Sequence, residues 1–341
     1  MIARRALRRG VQPTTAALLG AAVALAGCSG DDQAARPPTT PAPSTTSTPS
    51  ATPKPTPTIA SLTGGPVLAV KIDNTPSARP RIGLHKADVV YVEPVEGGLT
   101  RLLAVFSTRM PPEVGPVRSA RESDVDLLGN YGKVAFAYSG GSPYTLRLLP
   151  KGQQVNLSFD ASRTGFHRDP ARPAPYNVIG EPRTLLARAG GSVRPKDIGF
   201  RFGPPASGGA AATSVTARWP GSRMTLTWNG KRKQYLVTTD GRPDVGADRV
   251  QHGASTVVVQ YVKTRLSGNR DVNGMPTPVV QVTGTGKATV LRGGKAWSGT
   301  WSRKGATAPT SLTVAGKPVT LAPGGPVWVL LVSPGQSVTV G

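Results

Sequence analysis

The chain has 341 residues, of which 38% are hydrophobic, an ordinary size and composition for a globular protein of two domains. Beyond the first thirty residues no apolar run reaches the roughly 18 positions that a membrane-spanning helix needs. The formal net charge is +23, and residues 206–341 carry 16 Lys and Arg against 4 Asp and Glu. Such a basic segment is attracted to anionic headgroups or wall polymers, unless the charge only keeps the protein soluble.

Residues 1–27 are typical of an export signal peptide that ends at a lipidation site. Arginines 4, 5, 8 and 9 precede an apolar run from Ala16 to Leu25, which leads through Ala26 and Gly27 to Cys28. This ending resembles the bacterial lipobox, in which the cysteine is lipidated; an ordinary signal peptide is the alternative. The predicted location is extracytoplasmic, anchored to the cell membrane by lipidated Cys28, after export by the general or the twin-arginine route.

Residues 28–64 consist mainly of Pro, Thr, Ser and Ala and contain almost nothing to bury. This composition cannot offset the entropy lost on folding, and its prolines favour an extended chain. The segment is therefore predicted to be a disordered tether between the lipid and the folded part.

Residues 65–205 are predicted to form a mixed α/β domain of the α+β class. Apolar runs indicate strands, and Gly97-Gly98 favours a hairpin between the second and third of them. Ser119 with Glu122 fits a capping box for a helix from Ala120. The predicted strands are Val67 to Ile72, Asp88 to Glu93, Arg101 to Ser107 and Val134 to Tyr138, with further helices after Ser142 and Glu181.

Residues 206–341 are predicted to form an all-β sandwich or barrel-like domain. Short apolar runs follow one another at regular spacing, and Asn229-Gly230 favours a two-residue hairpin turn. The predicted strands are Ser214 to Trp219, Met224 to Trp228, Tyr235 to Thr238, Thr256 to Val262, Pro278 to Thr283, Ala288 to Leu291, Ala296 to Trp301, Leu312 to Val314, Val319 to Leu321 and Val327 to Val332.

The stretch from Glu93 to Arg121 combines carboxylates, paired glycines and arginines around one apolar run. Two carboxylates, Glu93 and Glu96, have the chemistry for acid–base work on a glycosidic bond, or they pair with arginines. Arginines near a helix N-terminus can instead bind a phosphate or carboxylate. With three scattered histidines and one cysteine, the sequence predicts no metal site, and we expect no cofactor.

Several short motifs carry a resemblance to a known family: Asp73-Asn74, Ala78-Arg79-Pro80, Gly83-Leu84, Ala87 to Val90, Glu93, Glu96-Gly97-Gly98, Thr100-Arg101, Gly115 to Arg121, Gly140-Gly141-Ser142, Phe166, Arg168, Pro175, Asn177, Val257 to Gln260 and Gly299 to Ser302. With them the chain resembles, from about residue 65 to its end, the YerB-like lipoproteins, whose two modules are catalogued as domain of unknown function 3048. The resemblance implies a lipoprotein and no established reaction. Where many relatives are expected to have histidine before the paired glycines, this chain has Tyr138 and Ser139.

The sequence thus favours an exported, lipid-anchored cell-envelope protein that binds an anionic cell-wall polymer or an anionic lipid surface, and not nucleic acid. One alternative is an envelope-polymer hydrolase or transferase that uses Glu93 and Glu96. Another is a structural scaffold without a small-molecule site. The predicted ligand-binding residues are Asn74, Arg79, Thr100, Arg101, Arg118, Ser119, Arg121, Ser142, Arg168 and Asn177.

Overall fold

One sheet of twelve strands runs through the part of the chain that the structure, a computed structural model, describes. The described residues are 65–190, 193–271 and 273–341, and they belong to one compact unit, Lys54–Gly341. The predicted signal peptide, Cys28 and the tether over residues 28–64 lie outside the described residues. Among the helices of the described residues, none has the length and apolar character needed to cross a membrane.

Residues 65–205 combine parallel and antiparallel strands with helices, which confirms the predicted mixed α/β class. The helices are α1 (Ser123–Gly129), α2 (Pro143–Leu148) and α3 (Pro182–Ala189), with 3-10 turns at Pro76–Ala78, Leu84–Lys86, Glu96–Gly98 and Leu149–Lys151. The strands are β1 (Leu68–Asp73), β2 (Val89–Pro94), β3 (Thr100–Phe106), β4 (Gly132–Lys133), β5 (Ala135–Tyr138), β6 (Val155–Ser158), β7 (Phe166–Arg168), β8 (Val178–Gly180) and β9 (Arg194–Pro195).

Residues 206–341 form mostly antiparallel β-sheets, as the alternating and apolar runs predict. Their strands are β10 (Ala210–Ala211), β11 (Ser214–Trp219), β12 (Ser222–Asn229), β13 (Gln234–Thr239), β14 (Arg242–Pro243), β15 (Gly253–Ala254), β16 (Thr256–Tyr261), β17 (Thr264–Arg270), β18 (Pro276–Val280), β19 (Gly284–Arg292), β20 (Lys295–Arg303), β21 (Ser311–Val314), β22 (Lys317–Pro318), β23 (Val327–Val332) and β24 (Val338–Val340).

The large sheet has the strand order β22-β21-β20-β19-β16-β23-β2-β3-β1-β5-β6, with β10 added beside β20. Strand β23 joins its two halves, because Val327 pairs in parallel with Val89 of β2 and with Thr256 of β16. All six residues of β23 are buried, as expected where both faces of a sheet are covered. Strands from residues 65–205 and 206–341 are therefore hydrogen-bonded neighbours, and the division into two domains stays a prediction.

Both faces of the large sheet carry a hydrophobic core, because successive residues of a strand point to opposite faces. On one face, Leu68 and Leu102 belong to the cluster that includes α3 and the second sheet, which has the order β14-β13-β12-β11-β24 with β15 beside β13. On the other face, Ala69 and Leu103 belong to the cluster that includes Leu127 of α1. The centre of the sheet is thus enclosed on both faces, and a ligand can reach it only at the ends of the strands.

Three local predictions are wrong in whole or in part: a helix start, a hairpin turn and a short strand. The helix expected from Ala120 begins at Ser123, and no capping bond from a Ser119 hydroxyl to Glu122 exists. The Ala120 N–H instead donates to the carbonyl of Gly140 at 3.0 Å. Because of this bond, the segment pairs with the backbone at Gly140 of the same chain, and the helix begins three residues later than predicted.

The hairpin expected at Asn229 forms between β12 and β13, but its turn is longer than two residues. Asn229 pairs with Gln234, and its side-chain oxygen accepts the Arg232 N–H at 2.9 Å. The left-handed backbone conformation of Lys233, with φ of 51°, completes the turn. The strand expected over residues 319–321 is wrong, since only an isolated bridge of Leu321 is found there.

Candidate functional site

A polar cleft of about 560 Å³ opens at one end of the central strands of the large sheet, where β1 and β2 end and β3 begins. The turn between β2 and β3, residues 118–121, the start of α2 and the β17–β18 hairpin line it. Arginines outnumber acidic residues in this lining, so the cleft attracts anions. The charged residues that line it are Asp73, Glu96, Arg101, Arg118, Arg121, Arg270 and Asp271.

The register of the sheet explains why these charges meet. Arg101 is paired directly with Asp73 of β1 and with Glu93 of β2. Residues directly opposite one another place their side chains on the same face. Two residues further along β3, the same face carries Leu103 into the buried core. On this face Leu103 is paired with Lys71, so the ionic residues begin beside the apolar core and continue to Arg101 at the start of β3.

Lys71, Glu93 and Asp124 form a fully buried ionic cluster beside the cleft. The Nζ atom of Lys71 contacts Oε1 of Glu93 and lies 2.7 Å from Oδ1 of Asp124. Burial disfavours the ammonium form, and despite the opposing effect of Asp124 the pKa of Lys71 is lowered to about 8. Oδ2 of Asp124 also accepts the backbone N–H of Arg121 at 2.7 Å. The cluster thereby fixes a chain segment that lines the cleft.

Glu96, in the turn between β2 and β3, is held by Arg121 and by the second half of the chain. Its Oε2 accepts Nε and Nη2 of Arg121 at 2.9 and 2.5 Å, and its Oε1 accepts the Thr277 hydroxyl at 2.7 Å. Burial alone raises the pKa of this carboxyl, but Arg121 and the hydrogen bonds outweigh it, so the pKa of Glu96 is lowered. A carboxylate kept ionised in this way is poorly suited to act as a general acid.

Arg118 is oriented from two sides while one end of its guanidinium faces the cleft. Its Nε donates to Oδ2 of Asp73 at 2.9 Å, and the guanidinium carbon lies 5.7 Å from the centre of the Tyr176 ring. Oδ1 of Asp73 is already used by the N–H and hydroxyl of Thr75. The two Nη groups of Arg118 have no hydrogen-bond partner within the described residues, and its side chain is 24% exposed.

Arg101 is a lining cation that forms no ion pair within the described residues. It is half-buried, and its Nη1 donates to the backbone carbonyl of Ser119 at 3.2 Å. No carboxylate of the described residues lies within ion-pair distance of its guanidinium. Burial and then the positive charge of Arg121 lower the pKa of Arg101 to about 9, against the effect of Asp73. Arg101 is still a cation at neutral pH. An anion bound in the cleft would offset both the cost of burying this charge and the repulsion from Arg121.

The cleft brings together seven of the residues that the sequence predicted. Glu96 is one, and the ligand-binding candidates that line the cleft are Thr100, Arg101, Arg118, Ser119, Arg121 and Ser142. Ser142 is also the N-cap of α2, as predicted, because its hydroxyl accepts the N–H of Thr145 at 3.1 Å.

Five predicted residues lie outside the cleft lining and have protein partners. Glu93 belongs to the Lys71 cluster, and Asn74 donates to the hydroxyl of Thr100 at 2.7 Å. Arg79 pairs with Asp240 at 2.9 Å, and Arg168 donates to the Asn177 side-chain oxygen at 2.6 Å. The structure therefore reduces the predicted arginine group to the three at positions 101, 118 and 121.

Sequence reasoning missed other contributors to the site. Lys71 and Asp73 alternate with apolar residues in β1, a pattern that could have placed them on the face of Arg101. Thr277 gave no signal, because it reaches Glu96 across a separation of 181 residues. In the described residues no group of three or more His, Cys, Asp or Glu could hold a metal ion.

Comparisons with known proteins give a consistent result. Residues 52–194 match the model of the protein of unknown function DUF3048 N-terminal domain, and residues 215–329 match that of its C-terminal domain. The "Putative lipoprotein YerB" of Bacillus subtilis (strain 168) is 42% identical over 109 residues, which are 30% of this chain and 33% of the relative. The alignment therefore spans a third of that relative.

The fold is also similar to a solved structure. The crystal structure of the YerB protein from Bacillus subtilis superposes with a TM-score of 0.68 at 22% identity, over 82% of this chain and 95% of that one. At this identity the similarity concerns the fold alone, so function has to be argued from the cleft.

Proposed function

The chain belongs to the DUF3048 family of proteins of unknown function, and from the cleft itself we propose that it binds an anionic component of the cell envelope. The observation that carries this proposal is Arg101, a half-buried cation without an acidic partner in the described residues. Arg118 lies in the same cleft, and its two Nη groups have no hydrogen-bond partner in the described part of the chain. Guanidinium groups arranged in this way bind a phosphate or a carboxylate through several N–H donors.

The two alternatives from the sequence receive less support. A hydrolase or transferase would need Glu93 and Glu96 on either side of an open space, but Glu93 is buried against Lys71 and Glu96 is bonded to Arg121. A scaffold without a binding site would pair all of these charges internally. Arg101 does not meet that expectation.

Replacing Arg101 by Gln tests the proposal directly. The measurement is retention of the protein on sedimented anionic material. We expect the protein concentration that gives half of the maximal retention to rise about tenfold, because a hydrogen bond to a charged group is lost. Two probes distinguish the source of the anion: sedimented cell-wall material, and vesicles of phosphatidylglycerol compared with vesicles of phosphatidylcholine. Arg118→Gln should act in the same direction, and added salt should weaken retention.

Arg109→Gln is the matched control, since Arg109 is exposed and does not line the cleft. Its retention should equal that of the unchanged chain. Circular dichroism spectra should show that all variants are folded. Retention of Arg101→Gln equal to that of Arg109→Gln on both probes would contradict binding at this cleft.

We also infer that the chain is a lipoprotein, anchored outside the cytoplasm by Cys28. The signal-like residues 1–27 support this inference, and so does the printed name of the Bacillus subtilis relative. Cys28→Ser is expected to abolish incorporation of labelled fatty acid into the protein, because the thiol that would carry the lipid is lost. Serine keeps the size of the side chain. A variant that incorporates labelled fatty acid at the level of the unchanged chain would refute lipidation at Cys28.

A further inference from the structure

A second cavity of about 760 Å³ lies between a hairpin of the second sheet and a hairpin of the large sheet. The turn between β12 and β13 lines one side, and the turn between β19 and β20 lines the other. It shares no lining residue with the cleft around Arg101. Its volume is within the range of about 300–1,000 Å³ that is usual for small-molecule sites.

All charged residues in the described lining of the second cavity are cations. Arg232, Lys233, Arg292 and Lys295 line it, and no acidic residue does. None of these four cations forms an ion pair within the described part of the chain. Clusters of like charge without counter-ions are unfavourable, so an anion bound here would stabilise the site.

Neutral groups hold the two arginines in place. Arg232 donates to the carbonyl of Gln251 at 2.9 Å and to the side-chain oxygen of Gln234 at 3.2 Å. Nη1 of Arg292 donates to the carbonyls of Gly203 and Thr320 at 2.9 and 3.0 Å. These bonds use only part of each guanidinium and leave its charge uncompensated, whereas Nε and Nη2 of Arg292 have no partner in the described residues.

The cavity also has an aromatic wall. Trp228 is half-buried and packs against Tyr235, with ring centres 5.1 Å apart. Trp297 lies in the same wall, and its Nε1 donates to the carbonyl of Ser207 at 3.2 Å. The turn glycine Gly294 runs against the indole of Trp228, where a Cβ atom would come within 3.2 Å of the ring. The absence of a side chain there keeps the indole accessible beside the cations.

Three neutral polar groups of the lining lack a hydrogen-bond partner in the described residues. They are the indole N–H of Trp228, the amide N–H₂ of Gln234 and the hydroxyl of Ser255. Sugar hydroxyls both donate and accept hydrogen bonds, so they can satisfy all three groups. The apolar C–H face of a sugar ring also stacks on an indole, while the hydroxyl groups at the edge of the ring stay hydrated.

We propose that this second cavity binds an anionic sugar, with the ring against Trp228 and the carboxylate or phosphate among Arg232, Arg292 and Lys295. The site is independent of the arginine cleft and of the function proposed for it. Its ligand is a sugar acid or a sugar phosphate, since both present the same charge to the guanidinium groups.

Titration of the full chain tests this proposal, followed by tryptophan fluorescence and by calorimetry. The probes are a galacturonate trimer for the carboxylate, glucose 1-phosphate for the phosphate, maltotriose as the neutral sugar and adenosine monophosphate as a nucleotide. We expect one of the two anionic sugars to bind at least about tenfold more tightly than maltotriose. Which of them binds more tightly identifies the source of the anion.

Two sets of variants locate the binding. Arg232→Gln combined with Lys295→Gln is expected to weaken the anionic sugar about tenfold or more, and Trp228→Leu should remove the fluorescence change as well. Lys231→Gln is the matched control, since Lys231 is exposed and does not line the cavity. Arg101→Gln, in the other cleft, should also leave this binding unchanged.

Several results would overturn the proposal. They are the lack of any response to both anionic sugars up to about 10 mM, equal binding of maltotriose, and tighter binding of adenosine monophosphate. Unchanged binding in the Arg232 and Lys295 double variant would do the same. Because both residues are exposed, that variant should fold, and the outcome does not depend on Trp228→Leu.

Discussion

Lys71→Met is expected to lower the free energy of unfolding by roughly 3–5 kcal/mol at neutral pH, the usual cost of removing one partner from a buried ionic group. Methionine fills a similar volume, so the loss comes from charge and not from a cavity. Lys71, Glu93 and Asp124 are all fully buried, and the ammonium is the cation that contacts both carboxylates. Without it, two carboxylates remain in a site that water does not reach. Urea unfolding followed by circular dichroism measures the change.

A second substitution separates charge from packing. Glu93→Gln added to Lys71→Met removes one of the stranded carboxylates and should recover part of the lost stability. A loss smaller than about 1 kcal/mol, or no recovery in the double variant, would show that the cluster does not depend on this lysine.

The Lys71 cluster also connects stability to the candidate site. Asp124 accepts the backbone N–H of Arg121, and Arg121 in turn holds Glu96. A ligand in the cleft would therefore meet arginines whose positions are set by buried charges. This arrangement gives the buried ionic groups at the ends of the strands a role in positioning the residues that line the cleft.

Local features of this fold were predictable from the sequence. The β2–β3 hairpin follows from two apolar runs around Gly97-Gly98, and both glycines adopt φ values near 70°. The start of α2 follows from Ser142 and Pro143, which act over one helical turn. The approach of Glu93 to Arg101 follows from that hairpin as well, since the two are direct cross-strand neighbours.

Other features depend on contacts that no local pattern encodes. The apolar run of β23 indicates a buried strand, but nothing in it specifies that it lies between β2 and β16. Glu93 and Glu96 look alike in the sequence, yet Lys71 encloses one and Arg121 with Thr277 holds the other. The roles of these carboxylates were therefore decided by distant parts of the chain.

A second buried network joins the two halves of the chain around Arg81. Its Nη1 donates to the Asn74 side-chain oxygen at 2.8 Å, and its Nη2 contacts Oδ2 of Asp244. Asp244 also accepts the hydroxyl of Thr239 at 2.9 Å and lies 3.1 Å from Nδ1 of His252. Arg81 and Asp244 are fully buried, so neither charge has water as a substitute partner.

Burial, followed by the positive charge of Arg81, lowers the pKa of His252 from 6.5 to about 3. The unfolded chain therefore takes up a proton near pH 6.5, whereas the folded chain does so only near pH 3. The stability that this neutral imidazole contributes is fully present above pH 6.5 and is lost as the pH falls towards 3. The loss amounts to at most about 1.4 kcal/mol per pH unit over that window.

Arg81→Met is accordingly expected to lower the free energy of unfolding by roughly 3–5 kcal/mol at pH 7, because Asp244 is left buried without its cation. At pH 5 the deficit should be smaller, since removing Arg81, the second cause after burial of the lowered pKa of His252, favours the protonated imidazole beside Asp244. Arg79→Gln is the matched control, because Arg79 pairs with Asp240 near the surface and should cost below about 1 kcal/mol. Urea unfolding at both pH values measures the three proteins. An Arg81→Met deficit that matches the control, or that grows between pH 7 and pH 5, would refute this account of the network.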